Sequence, residues 1–288
     1  MPPLPIGRIP AALCRGLRMW LSDIDDTVTT EGLLTDEAFA ALWSLHRAGI
    51  EVVMVTGRPA GWCDHIARMW PVTAVVGENG AFYYSYDRRK RRMRRVFLVG
   101  EQERLEGQRR LQRLRERVLA EVPGCRVAAD QPFRLMDLAV DFSEDVVPAL
   151  DESAIDAICR IAAEEGATAK VSSIHVNCWY GRFDKLSGVR RLLQDRGLDV
   201  SRPAVLDGLL FSGDSPNDEP MFQSLPHTLA VANLRRFLPR LSHPPAYITE
   251  GESAAGFAAA VRPVLAKRRP PAAGPPADQP SQAPGSVS

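Results

Sequence analysis

The stretch LRMWLSDIDDT, residues 17–27, carries an apolar run that ends in a cluster of carboxylates. Residues 17–24 read as a buried strand, and the acidic residues gather where that strand stops. Outward from it the pattern alternates. TDEAFAALWSLHRAG (35–49) reads as a helix with Thr35 as N-cap. IEVVMVTG (50–57) is a β-branched apolar run and reads as a second strand; PAGWCDHIARMW (59–70) reads as a short helix and VTAVVG (72–77) as a third strand. Strands and helices alternating at this spacing require right-handed crossovers and a parallel sheet. The rhythm returns after residue 185 with the helix KLSGVRRLLQDRG, the strand AVLDGLLFSGD, a short helix, the strand TLAVAN and a last helix near 253–265. The fold class is therefore α/β.

Residues 82–180 break this rhythm. FYYSY and RRVFLVG read as a hairpin around a basic turn. A helix follows at about 101–122, with Leu111, Leu114, Val118 and Val122 on one face, then the strand RLMDLAVDF, a helix at 151–165 and a strand at 169–179. This α+β insert divides the α/β part into segments 17–81 and 181–266. Residues 1–16 hold four prolines and read as a disordered leader. Residues 267–288 hold six prolines and almost no large apolar residues, the composition of a disordered tail.

Composition narrows the function classes. Thirty-six Lys+Arg against 35 Asp+Glu leave a net charge of +1 over 288 residues, so nucleic acid is not bound through the whole surface. No apolar run is long enough for a membrane span, and the first twenty residues do not make a secretory signal. Cys14, Cys63, Cys125, Cys159 and Cys178 are scattered and odd in number. They argue against a disulfide framework or zinc ribbon and point to a reducing, cytoplasmic setting. The basic run 88–95 has seven cations in eight residues but no interleaved aromatic, and reads as a solvated loop.

Parallel sheets present ligands at the C-terminal ends of their strands. There the sequence places Asp23-Ile24-Asp25-Asp26-Thr27, then Thr56-Gly57-Arg58, then Glu78-Asn79-Gly80. Lys185 opens the helix after the insert, and Gly213-Asp214-Ser215-Pro216-Asn217-Asp218 follows a later strand. In order and context these elements resemble the D-x-D-x-T, T-G-R, K and G-D-S-x-N-D motifs of the haloacid dehalogenase (HAD) superfamily, over residues 17–265. The insert between the second and third motifs resembles the type 2 cap of subfamily IIB, which includes Cof-type sugar phosphatases and sucrose-phosphate phosphatase. The resemblance implies a Rossmann-like core, 17–81 and 181–266, with a cap at 82–180.

It also implies a chemistry. Asp23 would be the nucleophile of an aspartyl-phosphate route, which splits one hard displacement into two easier ones. Asp25, two residues on, shares the side of an extended chain with Asp23 and would serve as acid, then base. Four carboxylates and a phosphate dianion face one lysine, and like charges ~4 Å apart cost on the order of 4 kcal/mol at an effective dielectric of about 20. A magnesium ion is the natural remedy. By resemblance it is held by Asp23, Asp214 and the Asp25 carbonyl, with Asp218 orienting its waters or Lys185. Thr56, Gly57, Arg58, Asn217 and Lys185 would contact the phosphate. Asn79 is a turn residue at positive φ or a substrate contact. Asp26 stands where the family commonly has Gly, which makes the geometry of that turn an open point.

His175 and Asn177 share one face of the strand KVSSIHVNCW, as Ser173 and Trp179 do, and are candidate substrate contacts. The expected activity is magnesium-dependent hydrolysis of a small phosphate ester, such as a sugar phosphate. The alternatives are a phosphomutase or phosphotransferase of the same superfamily, or a protein whose Arg-rich hairpin binds polyanions.

Overall fold

The computed structural model describes residues 2–172 and 174–268. Two sheets organise them. The larger has nine strands in the order Leu4–Pro5, Tyr247–Ile248, Thr228–Ala230, Leu209–Gly213, Met19–Ser22, Glu51–Val55, Ala74–Gly77, Phe82–Asp87 and Arg92–Phe97. The first seven run parallel, and the last two form an antiparallel extension. The strand that carries Asp23 sits at the middle of the sheet. Successive residues of a strand face opposite ways, and both faces here are covered. Trp20, Val52, Met54 and Leu210 lie in the core under the helices Asp36–Arg47, Ala60–Met69 and Ser253–Arg268. Met19, Leu21, Val53 and Phe211 pack into the core shared with the helices Lys185–Asp195 and Glu219–Ser224. Covering on both faces is why these strands read as continuous apolar runs.

The helix Asp36–Arg47 begins where expected: the Thr35 hydroxyl accepts the Ala38 N–H. The strand expected over 204–214 is shorter. A single helical turn, Pro203–Leu206, precedes the strand Leu209–Gly213, because Pro203 at the start of the turn presets its φ.

The smaller sheet runs Thr168–Val171, His175–Trp179, Asp137–Asp141, Arg126–Val127, all antiparallel. With the helices Glu101–Glu121 and Glu152–Glu164 it forms the cap. Leu138, Val140, Val176 and Cys178 face the cap helices, where Leu111, Leu114, Val118, Ile158 and Ile161 complete a separate core. The alternate residues Asp137, Asp141, His175, Asn177 and Trp179 take the opposite face, towards the larger sheet.

Three expected boundaries are corrected. The hairpin 82–97 belongs to the core sheet: Val75 pairs with Tyr84 and Gly77 with Phe82. Phe82 and Tyr84 enter one face's core and Tyr83 the other's, so the strand is buried on both sides. The cap therefore starts after residue 97. The basic run 88–95 lies on this sheet edge, and three of its arginines are engaged. Arg88 donates to the carbonyls of Arg68 and Trp70, Arg94 pairs with Asp195, and Arg95 pairs with Asp64.

Residues 2–16 are also structured. Leu4–Pro5 is the outermost strand, where a missing proline N–H costs little; Pro10 is the N-cap of the helix Ala11–Gly16. Ile9 and Cys14 are buried against the last helix. That helix continues to Arg268, two residues into the stretch read as tail. Its Lys267 ammonium donates to the carbonyls of Gly7 and Ile9, and Arg268 to those of Cys14 and Leu17. The proline count concealed an apolar anchor held by two cations. The rest of the expected tail, 269–288, and Ser173 lie outside the described residues.

The five cysteines are unpaired. No helix among the described residues is long and apolar enough to cross a membrane.

Candidate active site

The central strand ends on a polar ladder. Trp20 Nε1 donates to Ser212 Oγ at 2.8 Å, Ser212 Oγ to Ser22 Oγ at 2.8 Å, and Ser22 Oγ to the Asp23 carbonyl at 2.8 Å. Each buried hydroxyl is thereby satisfied, and the backbone at Asp23 is fixed. The chain then turns. Asp26 adopts φ 54°, a left-handed conformation that Asp tolerates better than most residues. The Asp at the position the family commonly gives to Gly is therefore compatible with the turn. The same turn brings Thr27 Oγ1 to 3.2 Å from Asp214 Oδ1.

Lys185 enters from the other half of the core. Asp184 caps its helix, and Gly80 packs directly behind. A Cβ at Gly80 would meet the Asp184 carbonyl oxygen at 1.9 Å, and Gly80 itself has φ +102°, so only glycine permits this approach. The Lys185 ammonium then donates to Asp23 Oδ2 at 2.7 Å and Asp218 Oδ1 at 2.8 Å. Asp218 Oδ2 accepts the Asp214 N–H at 3.1 Å, so both its oxygens are occupied in holding neighbours. Asp23, Asp214, Asp218 and Lys185 are all buried.

Charge dominates this cluster. Burial, with Asp218 and Asp25 adding, pushes the Asp23 carboxyl up to about 7 against the opposing pull of Lys185. Burial, then Asp218 and Asp23, likewise raises Asp214 well above its ordinary value. Burial works against the charge on Lys185, but Asp218 and Asp23 outweigh it and hold the ammonium protonated. Carboxylate oxygens of Asp23, Asp214 and Asp218 lie within 4.8 Å of one another. Three buried acids with hard oxygen donors and a single lysine fit a divalent cation such as magnesium.

Above them, a cavity of about 30 Å³ lies between core and cap, room for about two waters. Asp23, Asp25, Gly57, Arg58, Asn79, Lys185, Asp214 and Asn217 line it from the core; His175 and Asn177 line it from the cap. The single strand expected over 169–179 is instead a hairpin of Thr168–Val171 and His175–Trp179, and within its second strand His175 and Asn177 share the face that lines the cavity. Asn79 has φ 55°, the turn conformation expected of it; the residue also lines the cavity, and its buried Nδ2 has no hydrogen-bond partner among the described residues. Thr56 is fully buried at its strand end and does not line the cavity; its Oγ1 accepts the Arg58 N–H at 3.0 Å. Asp218 stands behind the lining as well, holding Lys185.

Arg58, an expected phosphate contact, closes the site together with residues not singled out from the sequence. Arg58 Nε donates to Asp25 Oδ1 at 2.8 Å, and its Nη1 to Glu144 Oε1 of the cap at 3.0 Å. Glu144 is presented by Asp141, whose carboxylate accepts the N–H groups of residues 143, 144 and 145. His175 Nε2 lies 2.9 Å from Glu144 Oε2, out of line for a hydrogen bond. His175 and Arg58 together draw the Glu144 carboxyl down to about 2. Arg134, buried, forms a fork on Asp130 at 2.8 and 3.0 Å, meets Asp137 at 3.1 Å, and donates to the Gly57 carbonyl at 2.9 Å. Glu78 accepts the N–H groups of Ala60 in the core and of Leu135 and Met136 in the cap. One sequence signal pointed here: Asp137 and Asp141 lie in an apolar strand, and buried carboxylates require partners.

Comparisons with known proteins agree with this geometry. Residues 20–95 match the family model described as haloacid dehalogenase-like hydrolase. No curated protein sequence matches the chain significantly. Among solved structures, a protein of Thermoplasma acidophilum superposes with a TM-score of 0.65 at 18% identity, covering 86% of this chain and 98% of its own. The sucrose-phosphatase of Synechocystis, solved with sucrose and phosphate, gives 0.60 at 16% identity, covering 87% and 98%. A haloacid dehalogenase-like hydrolase from Bacteroides thetaiotaomicron gives 0.59 at 13% identity, covering 85% and 98%. Residues 20–95 thus match the model of haloacid dehalogenase-like hydrolases, and over most of its length the chain shares the fold of these solved structures.

Proposed function

We propose that the protein is a magnesium-dependent phosphatase that hydrolyses a small phosphorylated metabolite, a sugar phosphate among the candidates, through an aspartyl-phosphate. The observation that carries this reading is the buried Asp23–Lys185–Asp218 chain, with Asp214 beside it, opening on a cavity that Asp25 also borders. Asp23 attacks phosphorus and forms the acyl phosphate, while Asp25 gives a proton to the departing alcohol. Asp25 then takes a proton from the attacking water, and phosphate leaves as Asp23 is regenerated. Lys185 keeps Asp23 oriented and offsets its charge. Arg58 holds Asp25 in place and, with the Asn79 amide, faces the phosphoryl oxygens. Asp23, Asp214 and the Asp25 carbonyl would hold the cation, which would neutralise charge on the transferring group.

The cap face bearing His175 and Asn177 excludes bulk water while the acyl phosphate exists. The cavity is too small for most phosphate esters to enter past it, so the cap swings to admit substrate. The test is release of inorganic phosphate from an aryl phosphate, with and without magnesium. Activity is expected only with the cation and is lost in Asp23→Asn; equal activity in that variant would overturn the nucleophile assignment. Added alcohol acceptors in the same assay separate hydrolysis from phosphoryl transfer.

A further inference from the structure

A second, larger cleft adjoins the polar cavity. Its volume is about 620 Å³, and Asp25 borders both. Its walls are aromatic and aliphatic: Trp62 and Trp70 at the two ends of one core helix, Leu34 from the loop after the nucleophile, and Phe133 from the cap. Trp62 and Phe133 are 41% and 56% exposed, which is unusual for such large apolar groups on facing elements. The contact between the two domains here is closely fitted. A Cβ at Gly61 would stand 2.9 Å from Phe133 Cβ, so glycine lets the cap residue settle on the core helix. Arg58 lies over the Trp62 ring at 4.5 Å while bonding Asp25, which links this wall to the proposed acid.

The two volumes divide a phosphate ester between them. The polar cavity has room for a phosphoryl group in place of its waters, and no room for a ring. An acid that protonates the departing oxygen must lie within about 2.6–3.2 Å of it. The organic part of the substrate therefore starts at Asp25, and the space beyond Asp25 is the apolar cleft. Neither lysine nor arginine lines that cleft, and His65 is its one basic side chain, so a second phosphate or a carboxylate on the leaving group would find little counter-charge there.

We infer that the cleft is the leaving-group site and that it takes a ring with an apolar face, held between Trp62 of the core and Phe133 of the cap. This rests on the phosphatase reading and deepens it. Two chemistries share such a face, an aryl ring and the C–H face of a pyranose. Acyclic polyol phosphates lack it.

The experiment compares kcat/KM for 2-naphthyl phosphate, a hexopyranose phosphate and glycerol 3-phosphate, with magnesium in excess. At least one ring ester is expected to exceed glycerol 3-phosphate by about 10-fold or more, and the better of the two names the ring chemistry. Phe133→Ala, at a partly exposed cap position, should erase that lead by about 10-fold while glycerol 3-phosphate changes by less than about 2-fold, and Trp62→Ala should lower the ring esters more than glycerol 3-phosphate. Leu119→Ala, an exposed cap position outside the cleft, should leave all three rates alone. Equal losses on every ester, or no loss on ring esters, would overturn the proposal. If the wild-type protein hydrolyses none of the three, the phosphatase reading fails first. The cleft is then judged by calorimetric titration with 2-naphthol: binding that Phe133→Ala weakens keeps a ring site, and no binding to the wild type removes it.

Discussion

The rim of the core and the junction with the cap both bury clusters of acids, yet they satisfy them in opposite ways. At the junction the protein supplies the donors. Arg134 grips Asp130 and Asp137, Asn177 adds a bond to Asp137, Glu78 collects backbone amides from both domains, and Asp141 collects three more. On the rim, Asp23 and Asp218 share Lys185 and each accepts one backbone N–H, while Asp214 receives only the Thr27 hydroxyl, which leaves three carboxylates against one ammonium. A cluster whose lone pairs are filled internally holds structure together. A cluster left negative has capacity for a cation and for chemistry.

The largest expected effect lies on the rim. Asp23→Asn should lower kcat by at least about 10³-fold with the fold retained, measured by phosphate release and far-UV circular dichroism. Removing divalent cations with a chelator should bring a comparable loss that added magnesium reverses. Lys185→Met comes next. It leaves Asp23 and Asp218 facing each other without a cation, and should cost about 10²-fold in kcat, partly recovered at higher magnesium concentration. A variant as active as wild type at low magnesium would end the distinction drawn above for the rim.

At the junction the readout is stability. Arg134→Met strands Asp130 and Asp137 in the interior, and breaking a buried pair from one side costs about 3–5 kcal/mol. Urea unfolding should detect it as a lowered midpoint. An unchanged midpoint would mean that the junction is not a structural cluster. Glu144→Gln is the smallest change. The Glu144 carboxyl lies below its unfolded value of about 4.5, so its contribution is complete above pH 4.5 and fades as pH falls towards about 2. The variant should lose up to about 1 kcal/mol at pH 7, the group being part exposed. Below about pH 2 it should match wild type, and a gap that persists there would place its role elsewhere.

Much of the rim was legible from residue order alone. A strand that ends in Asp23 and Asp25, a second ending at Thr56 and a third carrying Gly213-Asp214 must bring those groups to one edge if the sheet is parallel, because all strand ends then point the same way. Lys185 followed from its place at the start of a helix after the insert. The expectation failed where local composition and long-range pairing disagree. FYYSY reads alike as a cap hairpin or a core strand, and only its pairing with Ala74–Gly77 assigns it. The prolines of residues 2–10 suggested disorder, yet Ile9 and Cys14 are anchored by a helix more than 240 residues away in sequence.

Glu78 and Glu144 show the same limit. Each is an ordinary charged residue in its own stretch, and each gains its role from partners far along the chain. Arg134 is half local, bonding Asp130 and Asp137 within four residues, while its bond to the Gly57 carbonyl reaches the core. The chemistry at the strand ends is a local property, set by residue type and a repeat of two, and so it was written in the order of residues. How Glu78 and Glu144 are filled is a property of packing between core and cap. The same holds for the apolar cleft that Trp62 and Phe133 both line. No window of sequence contains both halves of those contacts.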